Sequence, residues 1–333
     1  MAMKRFELTG AESNIVIGLN AVIVAVTEDS PRVLTIRDED GFRFRGKELR
    51  TLPFGLLDSD KDRTLELGVR RWVKEQTGLE LGYVEQLYTF GDQSRNPGGI
   101  KNSRFISIAY LALVREGCPV DYGNTEWIDY YSFLPWEDRR DRGRKVIEEE
   151  IVPELIDWSQ KSEDKELCRE RMERIDIAFG RKGDAWDVVK TLERYELIYE
   201  AGMAEEFFSD LDPEGNIRPE KERVLGRRMA MDYRRMLASA LGRLRGKIRY
   251  RPVVFELLPP EFTLSQLQRI VEALSGVRLH KQNFRRLVDR GGLVERTGRV
   301  DENTGGRPAE FFRFRRSVLR ERRAPGVGLP GGP

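Results

Sequence analysis

The stretch Pro53-Phe54-Gly55-Leu56-Leu57-Asp58-Ser59-Asp60-Lys61-Asp62-Arg63-Thr64-Leu65-Glu66-Leu67-Gly68-Val69-Arg70-Arg71-Trp72-Val73-Lys74-Glu75-Gln76-Thr77-Gly78-Leu79 decides the fold. It opens on a Gly-containing turn and an acidic loop carrying Asp58, Asp60 and Asp62. Leu65, Val69 and Val73 then recur at four-residue spacing, which predicts a helix over 64–77 with one apolar face. Gly78 follows the last periodic residue, where a helix C-cap belongs. Positions 72, 75 and 76 stand at i, i+3 and i+4, so they share a helix face.

This layout resembles the Nudix box, a loop–helix–loop reading G, five residues, E, seven residues, R-E-U-x-E-E-x-G-U with U aliphatic. Anchored on Gly78, Arg71 takes the arginine slot, Val73 and Leu79 the aliphatic slots, and Glu75 the first of the paired glutamates. Trp72 and Gln76 replace two helix glutamates, Arg63 stands where the early glutamate belongs, and Gly55 lies two residues too far upstream. A Nudix hydrolase uses such carboxylates to hold Mg²⁺, which demands near-octahedral oxygen ligation. One carboxylate remains here, so we expect no catalytic residues, no metal and no cofactor. A loop carboxylate at Asp58, Asp60 or Asp62 could substitute, and hydrolysis stays open as the rival.

A chain of 333 residues fits two or three domains. Residues 281–333 hold 13 Arg and Lys against 6 Asp and Glu, so in a chain of net charge +2 the remainder is net negative. A basic end on an otherwise acidic protein points to a polyanion partner. Cys118 and Cys168 are isolated and His280 stands alone, which suggests a reducing compartment and excludes His-rich metal sites. No run of 18 apolar residues occurs and no signal-peptide core opens the chain, so a soluble cytoplasmic protein is expected.

Strands are predicted over 13–26, 32–37, 83–90, 104–114 and 126–133 from their β-branched and aromatic content. With the helix at 64–77 they imply an α+β chain, a sandwich with a mixed sheet. The Gly/Pro-rich stretch 89–99 reads as a ligand loop, with Asp92 and Arg95 as candidates for a ribose hydroxyl and a phosphate. Residues 138–160 read as a charged helix that Pro153 kinks. A helical segment follows over 162–218, then a long helix from about Pro219 to Gly246 with Arg227, Arg228, Arg234, Arg235 and Arg243 decorating its solvated side.

Thr263 opens the next helix, and Gln266 three residues on completes a capping box. Leu267, Ile270, Val271 and Leu274 form its apolar stripe and Gly276 ends it. A second helix starts near His280, read as an N-cap, and buries Phe284, Leu287 and Val288. It leaves Lys281, Gln282, Asn283, Arg285 and Arg286 exposed. Two strands follow, joined by a loop containing Arg307. Helix, turn, basic helix and hairpin is the order of a winged helix-turn-helix. Arg, Lys, Gln and Asn are the side chains that read base edges in the major groove. Arg307 could enter a minor groove, and Arg313, Arg315 and Arg316 could neutralise phosphates. A winged helix can also dock proteins, so a scaffold without DNA binding stays open.

The combination closely resembles the Nudix-related transcriptional regulators. The resemblance rests on the altered box, Thr89-Phe90-Gly91-Asp92, Met231-Asp232-Tyr233, Phe255-Glu256-Leu257-Leu258-Pro259, Asn283-Phe284-Arg285-Arg286 and Gly306-Arg307-Pro308-Ala309. It implies an N-terminal Nudix α/β/α sandwich over 10–160, a helical insertion at 161–218 and a connecting helix at 219–250. A winged helix-turn-helix at 251–318 and a basic, disordered tail at 319–333 follow. It further implies a homodimeric repressor of NAD metabolism genes that binds operator DNA, with an ADP-ribose-like effector on the Nudix domain. Regulation of sugar catabolism, and an ADP-ribose pyrophosphatase with an accessory winged helix, are the alternatives. The ligand candidates are Arg71, Trp72, Glu75, Asp92 and Arg95. The DNA candidates are Lys281, Gln282, Asn283, Arg285, Arg286 and Arg307.

Overall fold

The computed structural model describes residues 14–27, 29–37, 43, 44, 47–92, 103–115, 124–212, 225–301, 308–321, 326 and 327. The β-branched run at the start forms one long strand, β1 (Asn14–Thr27), which is the axis of the N-terminal sheet. Antiparallel to it lie β2 (Ser30–Arg37) and, further along, β6 (Phe54–Leu56). Short strands β3 (Arg43–Phe44), β4 (Lys47–Glu48) and β5 (Arg50–Thr51) lie between them in sequence. After the box helix α1 (Leu65–Thr77) come β7 (Tyr83–Phe90), β8 (Ser103–Leu113) and β9 (Thr125–Asp129). β8 runs parallel to β1 and the other pairings are antiparallel, so the sheet is mixed, in the order β5-β2-β1-β8-β7 with β9 beside β2. Expected strand 126–133 stops at Asp129 because its carboxylate caps a 3₁₀ turn over Tyr130–Ser132.

Each strand of such a sheet sends alternate side chains to opposite faces. In β1, Val22, Val24 and Val26 join one core, while Leu19, Ala21, Ile23 and Ala25 join the other. In β8, Ala109, Leu111 and Leu113 oppose Tyr110 and Ala112 in the same way. The second face is covered by α1 through Val69 and Val73. The first face carries everything that follows.

A helical segment, α2 (Gly143–Lys145), widens into a π-helical turn over Val146–Ile151 and continues as α3 (Val152–Gln160). The Val152 N–H reaches back five residues to Ile147 O. Pro153 explains the widening. It brings no N–H to the helix, and its ring would press on the carbonyl four residues back. A π turn therefore stands where a kink is predicted. Next come α4 (Lys165–Phe179), α5 (Thr191–Glu200) and α6 (Glu205–Leu211).

α7 (Tyr233–Tyr250) begins far later than the expected Pro219. Leu225 and Met229 are core residues but precede the helix, and Gly226 and Met231 adopt positive φ (81° and 45°) that no helix admits. α7 buries Met236, Leu237, Ala240, Leu241, Leu244 and Ile248. At about 1.5–3 kcal/mol for each buried aliphatic side chain, this stripe fixes α7 to the sheet face. The expectation that Arg234 and Arg235 decorate a solvated side fails. Arg234 is buried, its Nη1 donates to Glu206 at 3.1 Å and its Nη2 to Leu225 O. Arg235 is mostly covered and pairs with Glu196 at 2.7 Å.

The chain ends in α8 (Leu264–Ser275), α9 (Lys281–Gly291) and a small sheet of β10 (Phe262–Thr263), β12 (Ala309–Phe314) and β11 (Val294–Asp301), with α10 (Val318–Glu321) behind it. Phe262, Leu267, Val271, Leu274, Phe284 and Val288 belong to the same continuous core as the sheet residue Val24 and the α7 residue Leu241. Val327, in the tail expected to be disordered, is buried in that core too.

A buried ionic knot sits where these parts meet. Glu137, with a fully buried side chain, accepts from Arg194 Nε (2.6 Å) and Nη2 (2.9 Å) and from Arg245 Nη1. Arg245 also donates to Leu274 O (2.9 Å), Val188 O (3.0 Å) and Glu137 O (3.0 Å). Tyr131 Oη donates to Ala273 O at 2.6 Å. Glu137 follows β9, Arg194 lies on α5, Arg245 on α7, and the Ala273 and Leu274 carbonyls lie at the end of α8. The knot thus ties sheet, helical segment and winged helix together.

Candidate functional site

The altered box is built as its sequence demands. Thr64 Oγ1 caps α1 by accepting from Leu67 N (3.2 Å), and Gly78 ends it in the left-handed region with φ of 69°. Trp72 points at β6, where its Nε1 donates to Leu56 O at 2.8 Å. Gly55 makes this possible, because a Cβ there would sit 2.0 Å from the indole. Gln76 grips the same strand: its Oε1 accepts from Phe54 N (3.1 Å) and its Nε2 donates to Phe54 O (2.5 Å). Two positions that carry carboxylates in the Nudix pattern are therefore spent on fastening α1 to β6.

Arg71 holds the acidic loop. Its Nε and Nη2 donate to the two carboxylate oxygens of Asp62, both at 2.8 Å. These bonds, outweighing burial, keep Asp62 below the usual carboxylate range. Asp62 also accepts from Asp58 N (2.9 Å), so the loop carboxylate nearest the helix is fully committed. Of positions 72, 75 and 76, Glu75 alone carries an acid, 51% exposed and 3.4 Å from Arg71. Among the described residues no group of three or more His, Cys, Asp or Glu is placed to hold a metal ion.

Arg71, Trp72 and Glu75 are thus brought together. Asp92 is not with them: its carboxylate meets Arg235 (3.1 Å) on α7, which packs on the opposite face of the sheet from α1. Arg95 lies outside the described residues.

The Gln76 clamp gives a direct check. Gln76→Glu restores the Nudix residue but removes the donor to Phe54 O and sets a carboxylate against that carbonyl. It is expected to lower unfolding free energy by about 1–3 kcal/mol. Chemical denaturation reads this, and a variant as stable as the parent would refute the clamp.

At the other end, the predicted capping box is present: Gln266 N donates to Thr263 Oγ1 and Thr263 N to Gln266 Oε1. His280 is the N-cap of α9 but its side chain accepts no capping bond. α9 buries Phe284 and Val288. Leu287, expected in the core, is instead 39% exposed. At 100° per residue, Leu287 points about 80° away from the direction midway between Phe284 and Val288. The same arithmetic puts Gln282, Arg286 and Arg290 on the stripe farthest from the core, and all three are exposed. Arg290 escaped the sequence reading, although its i, i+4 spacing from Arg286 gave the signal. Asn283 and Arg285 are exposed beside this stripe, Lys281 is exposed at the first position of α9 on its core-ward side, and Asn283 Oδ1 accepts from Arg286 (3.1 Å). Of the arginines expected on phosphates, Arg313 pairs with Glu295 (2.6 Å) and Arg315 donates to Gly292 O, while Arg316 is exposed. Arg307 lies outside the described residues.

Residues 254–314 match the family described as NrtR DNA-binding winged helix domain. The chain superposes on the structure of Shewanella oneidensis NrtR complexed with a 27mer DNA, with a TM-score of 0.52 and 19% identity over 91% of this chain and 95% of that one. The chain shares the fold of that protein, with a mixed-sheet domain joined through helices to a C-terminal winged helix. A MutT/nudix family protein from Enterococcus faecalis gives a TM-score of 0.51 at 16% identity, covering 93% of this chain and 90% of that one. In sequence, the chain is 23% identical over 297 residues to the ADPR responsive transcriptional repressor NtrR of Acinetobacter baylyi, spanning 89% of this chain and 80% of that protein. The altered box covers one face of the sheet, and α9 belongs to the continuous core on the other. No helix among the described residues is long and apolar enough to cross a membrane.

Proposed function

We propose that the chain is a transcriptional repressor whose winged helix binds operator DNA and whose Nudix-like domain senses ADP-ribose or a related nucleotide. The observation that carries this reading is the exposed stripe Gln282–Arg286–Arg290 on α9, whose side chains match major-groove edges and whose helix is held by a winged-helix core. The Acinetobacter relative is a repressor responsive to ADPR, and the Shewanella relative is bound to DNA. The box residues support sensing over hydrolysis, since Trp72 and Gln76 hold backbone instead of a metal. A homodimer on a palindromic site and control of NAD metabolism genes complete the proposal.

Fluorescence anisotropy on DNA from the chain's own promoter region tests it. Binding should weaken steeply with salt, and ADP-ribose should change the affinity by about fivefold or more. Affinity that ADP-ribose leaves unaltered would defeat the sensor reading. So would Mg²⁺-dependent turnover of ADP-ribose that Glu75→Gln abolishes.

A further inference from the structure

A cavity of about 240 Å³ opens between the π-helical turn and the loop that follows α4. Its polar wall is cationic: Arg139, Arg144 and Arg181 line it, with Glu148 as the facing acid. Its apolar wall is Ile147, Val152 and Phe179, closed by Trp186.

The charges here are poorly balanced. Arg139 is half-buried and makes no ion pair among the described residues. Its guanidinium lies over the Trp186 ring at 4.3 Å, and its Nε is buried without a hydrogen-bond partner. Burial, then the nearby Arg144 and Arg194, push its pKa down, against the weaker pull of Glu148 and Glu137. Arg181 shares the one carboxylate of Asp176 with Lys182, at 3.3 and 2.8 Å. Arg144 reaches Glu148 only at 3.8 Å, with both side chains about two-thirds exposed. Buried cations are ordinarily paired, so a cluster short of acid invites an external anion.

The site is also shaped. Gly180 sits at φ of 63°, and a Cβ there would fall 2.5 Å from Trp186 N, so the loop folds tightly back and holds Trp186 in place. The π turn that forms the opposite wall is a feature that recurs at functional sites. Three guanidinium forks against an apolar wall suit a phosphate dianion on a small organic body better than a single carboxylate. The volume is too small for a dinucleotide and adequate for a pentose phosphate.

We propose that this cavity is a second ligand site, distinct from the altered box, for a compact phosphate monoester. The Arg139 N–H donates to Gly276 O at 2.8 Å, the residue that ends α8. The site therefore abuts the winged helix.

Calorimetric titration of the full chain tests this, with ribose 5-phosphate as probe, ribose and citrate as controls. Saturable one-to-one binding of ribose 5-phosphate is expected, with ribose silent and citrate weaker. Arg139→Gln and Arg144→Gln should each weaken binding about tenfold or more, as loss of a charge-assisted bond does. Arg144 is 66% exposed, so its variant keeps the fold if Arg139→Gln does not. Absence of saturable heat would overturn the proposal. So would citrate binding as tightly as ribose 5-phosphate, or an affinity that Arg144→Gln leaves unchanged.

Discussion

Glu137→Gln is expected to cost the fold about 3–5 kcal/mol, the usual penalty for stranding buried charge. The substitution keeps the shape and removes the one anion that Arg194 and Arg245 share. Both guanidiniums would stay buried among carbonyls, which cannot neutralise them. Burial alone would push the Glu137 pKa up, but the two arginines outweigh it and hold the carboxyl below its ordinary 4.5. A group depressed in the folded state stabilises above its unfolded pKa. Its contribution is therefore intact at neutral pH and is lost as pH falls below about 4.5 toward the folded value. Urea denaturation at neutral pH reads the penalty. A midpoint within experimental error of the parent would show that the knot is not what fastens the core.

The second large effect is on DNA. Arg286→Ala should weaken specific binding by about 1–3 kcal/mol, which is about 5- to 150-fold, if the side chain makes a bidentate base contact. Arg286 stands on the stripe farthest from the α9 core, whereas Arg285 lies to its side. Arg285→Ala is accordingly expected to weaken specific and scrambled duplexes alike and to flatten the salt dependence. Anisotropy on an operator selected from random duplexes, against a scrambled control, separates the two. Equal losses on both duplexes for Arg286→Ala would move that residue from base reading to phosphate contact.

Much of this was legible in the sequence, because the signals were local. A run of β-branched residues over 14–27 gives a strand in any sandwich. Thr263, Gln266 and Gly276 define both ends of α8 within its own turn of chain. Trp72 and Gln76 announced a box without its metal ligands, though not what they hold: their partners are backbone atoms of Phe54 and Leu56. Long-range polar contacts left no such trace. Nothing local in the sequence marks Arg194 or Arg245, because their carboxylate lies 57 and 108 residues away. Leu287 misled for the opposite reason, since apolar character at i+3 from Phe284 suggests a core face that the wheel geometry denies. The late start of α7 depended on positive φ at Gly226 and Met231, which apolar periodicity does not encode.

The continuous core has a consequence for how such a chain can be taken apart. Its winged-helix end is no detachable cassette on a tether. A cut between the sheet and residue 254 would bare α7, α8 and the underside of β1 together. Grafting this winged helix onto a foreign sensor would mean carrying the seam with it, Glu137 and Tyr131 on one side, Arg245 and the end of α8 on the other. The natural unit of exchange in this architecture is the whole chain.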